Sequence, residues 1–348
     1  MTVSFSELFA KLEERGATPD EVRAAFDAIL AGAWTPVQTA AFAIALRLRG
    51  ETKELIVAAA ESLRSKMSAL DHGLPMVVDT CGTGGDGART LNISTAAAVV
   101  VAACGFNVAK HGNRSVSSQC GSADVIEALG LPLAVPIAGE LAILREAGIV
   151  FLMAPAHHPA LAHAAQARRE LGVRTIFNAL GPLANPARAT HQLVGVYEDR
   201  LRPILASALG TLGVVRAWVV RGEDGLDEVS PCGPTRVSEL VDGVVHERVG
   251  VPEDFGIARA GVDVIAGGDA KTNAAAIEQI LRGERHRATD TVVLNAAAVL
   301  VAIGAETSPT AAAARARAAL EGGHASRAFE AWRDATRKHA ATAAETAS

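Results

Sequence analysis

The stretch that decides the fold is residues 76–104, MVVDTCGTGGDGARTLNISTAAAVVVAAC, in which a β-rich run passes through a glycine-rich loop into an apolar helix. The β-rich run covers residues 76–78, and the helix is predicted over residues 96–104. Similar short β-rich runs follow, separated by helical segments, at residues 106–109, 149–153, 192–197 and 216–220. This alternation predicts an α/β domain with a central, mostly parallel sheet.

The residues before position 76 have helical instead of β periodicity. Three threonines precede helical segments as N-caps, two of them followed directly by proline: Thr18, Thr35 and Thr52. We therefore predict a small all-helical domain over residues 1–75, joined by helices from about residues 158–187. Residues 76–157 and 188–340 then form the larger α/β domain. Three alanine-rich helical segments are expected after residues 267–268, and a frayed tail over residues 341–348.

Composition excludes several classes of protein. The chain has 348 residues, 49% of them hydrophobic, and a net charge of -5, so no broad basic surface is available for nucleic acid. Its four cysteines show no CxxC spacing, which argues against a zinc site or a disulfide framework and favours a reducing cytoplasm. The N-terminus lacks the apolar run of a signal peptide, and the apolar segment 93–104 is too short to span a membrane. We expect a soluble cytoplasmic protein without a membrane or nucleic-acid partner.

The glycine-rich loop indicates an anion site. Glycines at positions 82, 84, 85 and 87 allow successive backbone N–H groups to turn towards one anion. Asn92, Ser94 and Thr95, at the start of the next helix, add side-chain donors and the positive end of the helix dipole. The alternative is a tight turn in which Ser94 or Thr95 only caps the helix. The spacing matches neither Walker A nor GxGxxG, so the loop by itself indicates an anion but not which one.

A second polar loop, KHGNRSVSS at residues 110–118, follows the β-rich run 106–109 and predicts a second part of the same site. Lys110 and Arg114 can neutralise phosphate, while the serines and backbone N–H groups supply neutral donors. The alternative is a solvated basic turn. His111 is either a substrate contact or a structural residue.

An acidic pair, Asp227 and Glu228, follows the β-rich run 216–220. Carboxylate oxygens suit magnesium, which commonly bridges one or two carboxylates to the phosphates of a ligand. This interpretation places the pair opposite the glycine-rich loop. Taken alone, the pair is more typical of an acidic surface turn.

The segment that begins at His157-His158 carries Arg168 and Arg169 on a predicted helix. An arginine here can clamp a substrate carboxylate through two parallel hydrogen bonds, and the alternative is a solvated helix face. Neighbouring histidines on a helix do not share a face, so we assign them no metal.

Taken together, the motifs resemble the anthranilate phosphoribosyltransferase family. The resemblance runs in order through nearly the whole chain, and its combination of motifs is more specific than any one of them. The only departure is Val229, where the family usually has another aliphatic residue, and this does not disturb the carboxylates. The motifs are GTGGD at 82–86, NIST at 92–95, KHGNRSVSS at 110–118, HHPAL at 157–161, RTIFNALGPLANP at 174–186, GLDE at 225–228 and GGDAKTNA at 267–274.

The resemblance implies transfer of phosphoribosyl from 5-phosphoribosyl 1-diphosphate to anthranilate, giving N-(5-phosphoribosyl)anthranilate and diphosphate in tryptophan biosynthesis. It also implies Mg²⁺ and a homodimer with a hinged active site. The larger domain would bind the phosphoribosyl donor. Anthranilate contacts would come from Gly82, Asn113 and Arg168, and metal ligands from Ser94, Asp227 and Glu228. Donor contacts would come from Gly82, Gly85, Asp86, Thr90, Asn92, Ile93, Ser94, Thr95, Lys110, His111, Gly112, Asn113, Arg114, Ser115, Val116, Ser117, Ser118 and Ser122.

The implied reaction needs charge stabilisation and alignment, so we predict no essential general acid or base and no covalent intermediate. Two alternatives stay open. A pyrimidine nucleoside phosphorylase would combine a glycine-rich loop with the same domain types, but it needs a nucleoside-base pocket. A noncatalytic nucleic-acid-binding relative would need a basic cleft.

Overall fold

The computed structural model describes residues 4–14, 16–84, 90–114 and 120–346. Its N-terminal part is helical: α1 (Phe5–Glu13), α2 (Pro19–Leu30), α3 (Pro36–Arg49) and α4 (Lys53–Ser65). The side chains of Thr18, Thr35 and Thr52 each accept a hydrogen bond from a backbone N–H in the first turn of the following helix. The predicted starts of α2, α3 and α4 are therefore confirmed, because each threonine satisfies an N–H group that has no partner within the helix.

The central sheet is formed by β1 (Val78–Gly82), β2 (Val108–Gly112), β3 (Ile149–Met153), β4 (His191–Gly195), β5 (Arg216–Gly222), β6 (Thr235–Val241) and β7 (Val244–Gly250). Within the described residues the strand order is β3-β2-β1-β4-β5-β6-β7. The first five strands in this order pair in parallel, whereas β6 and β7 add antiparallel partners at one edge. The predicted mostly parallel sheet is confirmed.

The strands differ from the sequence prediction at their ends. β1 and β2 continue to Gly82 and Gly112, past the polar residues at which their predicted runs stop. The pairing of a parallel ladder uses the backbone, so it continues where the side chains are no longer apolar. The hairpin of β6 and β7 was not predicted, because most residues of β7 are exposed and its sequence, VVHERVG, lacks an apolar run.

Helices cover both faces of the sheet and follow it in the chain. Helix α15 continues to Thr346, and the predicted frayed tail over residues 341–348 stays a prediction. In the part of the chain described, four helices follow residues 267–268, one more than the three predicted. Buried Phe329 and Trp332 anchor α15, and its alanine-rich continuation favours helix. The remaining helices are α5 (Ile93–Ala103), α6 (Ser122–Ala128), α7 (Ile137–Ala147), α8 (Ala154–His157), α9 (Ala162–Leu171), α10 (Ile176–Ala179), α11 (Leu201–Thr211), α12 (Ala270–Leu281), α13 (Thr289–Ala302), α14 (Pro309–Glu321) and α15 (His324–Thr346).

Helices α9 and α10 fold back onto the N-terminal helices. The ring of Phe177 on α10 lies 5.4 Å from that of Phe26 on α2, and Ala164 of α9 is buried in the same apolar cluster. These contacts favour the predicted discontinuous small domain, whose limits stay a prediction. None of the helices in the described ranges is long and apolar enough to cross a membrane.

The strand order determines where a ligand can bind. β1 lies between β2 and β4, so the chain leaves the centre of the sheet in two directions. In parallel sheets of this kind, ligands bind beyond the carboxyl ends of the strands at this switch point. The residues that follow β1, β2, β4 and β5 are therefore the candidates for a ligand site.

Candidate active site

The acidic turn after β5 folds over the carboxyl ends of β1 and β4. A Cβ atom added to Gly82 would lie 3.1 Å from Oδ2 of Asp227, and one added to Gly195 would lie 1.6 Å from the carbonyl oxygen of Asp227. Any side chain at position 195 would therefore overlap the main chain of the acidic turn. The two motifs predicted to face one cavity, GTGGD and GLDE, are in direct contact, although about 145 residues separate them in the sequence.

Ser94 joins the first turn of α5 to both the acidic pair and Lys110. Its backbone N–H donates to Oε1 of Glu228 at 3.3 Å, so a carboxylate occupies the positive end of the helix. Its Oγ lies 3.2 Å from Nζ of Lys110, which also donates to the carbonyl oxygen of Thr80. We call this set, with Gly82 and Asp227, the donor side of the site.

Lys110 is buried, with only 1% of its surface exposed. Burial lowers the pKa of its ammonium group, and the negative charges of Asp79 and Glu228 oppose this shift. Burial likewise raises the pKa of the Asp79 carboxyl, against the opposing effects of Lys110 and of hydrogen bonds from Asn185 and the His111 N–H. Lys110, which was predicted to contact phosphate, is therefore buried in β2. There it donates to the Ser94 hydroxyl, and its positive charge favours negative charge on Glu228.

The second polar loop is held by α6. The carbonyl oxygen of Asn113 accepts hydrogen bonds from Oγ of Ser122 at 3.3 Å and from the N–H of Ala123 at 3.1 Å. A Cβ on Gly112 would come within 2.3 Å of the same Oγ, so the close approach requires glycine. Arg114 forms ion pairs through Nη1 with two acids of α6, at 2.9 and 3.0 Å, so part of its positive charge is already balanced within the chain.

The NIST segment is buttressed by the GGDAKTNA motif, for which sequence analysis proposed no role. Thr90 forms a β-bridge with Ala266, and the Asn92 Oδ1 accepts from Nδ2 of Asn273 at 3.0 Å. Asn92 also donates to the carbonyl oxygen of Cys120 at 3.4 Å, which links the flanks of the two loops. Ile93 and Thr95 are fully buried, and no described group accepts or donates a hydrogen bond at Oγ1 of Thr95. The predicted donor contacts Gly85, Asp86, Ser115, Val116, Ser117 and Ser118 lie outside the described residues.

Two buried histidines lie beside the second loop. The rings of His111 and His158 are 5.2 Å apart, and Nδ1 of His111 is 3.1 Å from the carbonyl oxygen of Gly181. Burial lowers the pKa of His111 to about 3 and that of His158 to about 4. Both rings are neutral at pH 7, so neither supplies a positive charge to the site. His157, in contrast, is paired with Glu140 at 3.0 Å, which raises its pKa against the opposing effect of burial.

Arg168 lies on α9, and we call its surroundings the acceptor side. Its guanidinium carbon lies 5.8 Å from the centre of the Phe177 ring, and burial lowers its pKa. Among the described residues, no hydrogen bond or ion pair joins its side chain to an acid or to the donor side. Arg169 is exposed, whereas Arg168 is half-buried. An unpaired, partly desolvated guanidinium is suited to a ligand carboxylate.

The oxygen atoms of the donor side fit magnesium. Ser94 supplies a hydroxyl, and the carboxylates of Asp227 and Glu228 lie against Gly82 and the Ser94 N–H. No group of three or more acidic, histidine or cysteine residues in the described part of the chain can hold a metal by itself.

The chain matches family models over both of its parts. The helical bundle domain of the glycosyl transferase family covers residues 8–67, and the α/β domain of that family covers residues 74–326. An anthranilate phosphoribosyltransferase of Myxococcus xanthus (strain DK1622) is 49% identical over 291 residues, which are 83% of this chain and 86% of the relative. The chain belongs to the anthranilate phosphoribosyltransferase family.

Solved structures of anthranilate phosphoribosyltransferases are similar to the chain throughout. That of Thermus thermophilus has a TM-score of 0.89 at 39% identity and covers 95% of this chain and 99% of its own. The Saccharomyces cerevisiae protein, solved in complex with PRPP and Mg, has a TM-score of 0.89 at 27% identity and covers 96% of this chain and 98% of its own. The predicted family and the predicted class of enzyme, a pentosyltransferase of tryptophan biosynthesis, are confirmed.

Three residues outside the predicted site also contact it. Gly195, Asn273 and Asn295 each contact a predicted site residue or its neighbour, yet none of them lies in a loop that the motifs mark as polar and ligand-facing. For Asn273 the signal was its place in the GGDAKTNA motif, and for Asn295 it was the isolated amide in an apolar helix. Gly195 carried no signal, since a glycine at the end of a strand is common.

Proposed function

We propose that the chain transfers the phosphoribosyl group of 5-phosphoribosyl 1-diphosphate to the amino nitrogen of anthranilate, with Mg²⁺ on Ser94, Asp227 and Glu228. The contact of Asp227 with Gly82 supports this proposal most directly. The acidic pair and the start of the glycine-rich loop meet at the switch point of the sheet, where a diphosphate would lie between them if the loop binds phosphate as proposed. Arg168, with Gly82 and Asn113, would hold the carboxylate and ring of anthranilate.

The reaction separates charge, and the donor side is arranged to stabilise it. The C1–oxygen bond breaks with its electrons going to diphosphate, and the nitrogen lone pair of anthranilate forms the new bond to C1 before the nitrogen releases its proton. When bound, magnesium would stabilise the negative charge that develops on diphosphate. Lys110 holds the Ser94 hydroxyl in place, and the first N–H groups of α5 favour negative charge at that end.

No described side chain is required as a general base. The amino nitrogen attacks with its own lone pair, and burial lowers the pKa of His111 to about 3 and that of His158 to about 4, which makes both rings poor proton acceptors. Alignment by Arg168 would make the attack effectively unimolecular. The protein would therefore act by positioning the two substrates and by stabilising the charge that develops on the leaving group.

The function is tested by following the loss of anthranilate fluorescence with purified protein. We expect loss of fluorescence only when both phosphoribosyl diphosphate and Mg²⁺ are present, with N-(5-phosphoribosyl)anthranilate as the product. Phosphorolysis of a pyrimidine nucleoside in the absence of anthranilate turnover would establish the nucleoside phosphorylase alternative. Salt-sensitive binding of nucleic acid with neither activity would establish the noncatalytic alternative.

We also propose that two copies of the chain associate through the exposed side of the small domain. Helices α1, α3 and α9 border an apolar groove of about 760 Å³, and Val37 and Leu48 of α3 are 78% and 81% exposed. An apolar surface of this kind marks an association site. Leu48→Asp should halve the mass measured by light scattering, whereas Val215→Asp, which alters an exposed valine elsewhere, should leave it unchanged. A monomeric unaltered protein would refute the dimer.

We place the enzyme in the cytoplasm. Cys81, Cys104, Cys120 and Cys232 all lie in the described part of the chain and form no disulfide there, as is usual in a reducing compartment. Cell fractionation tests this location. Recovery of the activity outside the cytoplasmic fraction would contradict it.

A further inference from the structure

After a polar first turn, residues 289–291, helix α13 is almost entirely buried and apolar, and one polar side chain lies in its middle. Its sequence is TDTVVLNAAAVLVA, and Asn295 is 0% exposed. A buried amide lowers stability unless each of its polar atoms has a hydrogen-bond partner. The partners of Asn295 therefore show what the residue is for.

Asn295 holds the main chain of Val229 from both sides. Its Oδ1 accepts from the Val229 N–H at 3.0 Å, and its Nδ2 donates to the Val229 carbonyl oxygen at 3.0 Å. The second proton of Nδ2 goes to the carbonyl oxygen of Thr291, also at 3.0 Å. The side-chain amide thus pairs with the backbone of Val229 as a neighbouring strand would. Exchanging Oδ1 and Nδ2 would place the oxygen against two carbonyl oxygens and the NH₂ group against the Val229 N–H, so the orientation of the amide is fixed.

Val229 directly follows the two acids assigned to magnesium. Asp227 is placed by the strand ends, where its main chain lies against Gly195, and Glu228 accepts from the Ser94 N–H. Asn295 supplies the third attachment, on the other side of the acids. Val229 is 5% exposed, so water could not readily take the place of Asn295 as the partner of the Val229 N–H group if Asn295 were replaced.

We propose that Asn295 is a positioning residue that sets the direction of the Asp227 and Glu228 carboxylates for the metal. It reaches the metal only through the backbone of residues 227–229. The inference rests on the proposed function, because that proposal assigns magnesium to the two acids. Residues that orient metal ligands from behind are commonly needed for full metal affinity.

The test replaces Asn295 with alanine, which removes the whole clamp, and with aspartate, which keeps the size of the side chain and an acceptor for the Val229 N–H. We expect the Mg²⁺ concentration for half-maximal rate to rise about 10- to 100-fold in Asn295→Ala. Asn295→Asp should show a rise as well, because its second oxygen faces two carbonyl oxygens. The KM for anthranilate should stay within about 2-fold, because no contact of Asn295 reaches the acceptor side.

Calorimetry supplies a readout that does not depend on turnover. Phosphoribosyl diphosphate titrated into Asn295→Ala should bind weakly at limiting MgCl₂ and recover in excess MgCl₂. Thr291→Val is the matched control, since it removes a buried hydroxyl one turn away on α13 and keeps the carbonyl that Asn295 contacts. It should leave both measurements unchanged. If Asn295→Ala does not fold, Asn295→Asp carries the test.

An unchanged magnesium response in the Asn295 variants would overturn the inference. A rise in the anthranilate KM as large as the rise in the Mg²⁺ concentration for half-maximal rate would also overturn it, because it would indicate general damage to the protein. The double variant Asp227→Ala/Glu228→Ala separates this failure from that of the proposed function. If the double variant loses its magnesium response and the Asn295 variants keep theirs, only the inference about Asn295 fails. If the double variant keeps a normal response, the metal assignment itself fails.

Discussion

The donor side and the acceptor side of the site are built from opposite kinds of contact. On the donor side, Lys110, Ser94 and Glu228 are hydrogen-bonded to one another or to the sheet. On the acceptor side, Arg168 has an aromatic ring beside it and no acidic partner among the described residues. Folding pairs the polar groups of the donor side, whereas the Arg168 guanidinium has no acidic partner in the part of the chain that the structure describes.

This difference has an energetic meaning. Groups that stabilise a developing charge work best when folding has already oriented them, because they need not reorganise during the reaction. A group that only binds an acceptor gains from being unpaired, since an internal ion pair would compete with the ligand carboxylate. Changes on the donor side should therefore lower the rate and the metal response, and changes on the acceptor side should mainly lower the affinity for anthranilate.

The largest effect is expected on the donor side, from Asp227→Ala/Glu228→Ala. Loss of both carboxylates should lower kcat/KM on the order of a thousandfold, about 4 kcal/mol, because the diphosphate loses its metal-mediated stabilisation. Initial rates across a range of Mg²⁺ concentrations measure the effect. Unchanged activity at low magnesium would show that the acids have no part in metal binding.

A smaller and more selective effect is expected on the acceptor side, from Arg168→Ala. The anthranilate KM should rise about 10- to 100-fold, the value of one charge-assisted pair, with the donor KM nearly unchanged. Arg168→Lys should recover only part of the loss, because lysine lacks the fork that binds a carboxylate bidentately. Steady-state kinetics with each substrate varied in turn give both constants.

Arg169→Ala is the matched control for this comparison. It removes a neighbouring arginine that is exposed and has no acidic partner among the described residues. A rise in the anthranilate KM from Arg169→Ala, and none from Arg168→Ala, would reverse the assignment. Equal rises in both substrate constants from Arg168→Ala would indicate a structural arginine.

The smallest effect concerns the two buried histidines that pack against each other, His111 and His158. Burial lowers the pKa of His158 to about 4, below the value of about 6.5 in an unfolded chain. Above pH 6.5 His158 is neutral in both the folded and the unfolded chain, so its titration does not lower the free energy of unfolding. As the pH falls towards 4, His158 is protonated in the unfolded chain but not in the folded protein, so the free energy of unfolding decreases. At pH 5.5 the loss is about 1 kcal/mol. His111 acts in the same direction, and His157, whose pKa is raised, acts in the opposite one.

His158→Gln should flatten this dependence. Tm measured from pH 7.5 to pH 5.5 should fall less in the variant than in the unaltered protein, whatever the difference in Tm at pH 7.5. The comparison uses the slope because the substitution also alters packing. Parallel curves would show that His158 is protonated as readily in the folded state as in the unfolded chain.

Sequence patterns predicted the fold where the cause of the structure is local. The threonine caps of α2, α3 and α4 act within one helical turn, and the alternation of β-rich and helical segments indicates a parallel sheet. The hairpin of β6 and β7 was missed because β7 is stabilised by pairing at a sheet edge and not by apolar side chains of its own. The ends of β1 and β2 were missed for a related reason, since backbone pairing carries them into the polar loops.

The site was predictable as a set of motifs but not as an arrangement. The motifs indicated that GTGGD, KHGNRSVSS and GLDE belong to one reaction. They did not show that Lys110 lies beneath Ser94, that Arg114 is paired with acids of α6, or that Asn295 grips Val229. These contacts join residues from separate parts of the chain, and a single sequence contains no local pattern that reports them.

The amino-acid sequence by itself determined the family, the class of fold and the polar groups available for the chemistry, because glycine spacing, caps and charge act through near neighbours. Only the tertiary structure decided which of those groups are paired with one another and which are not. The pairing depends on how the parallel strands bring their ends together, and the order of those strands is a property of the whole packed sheet.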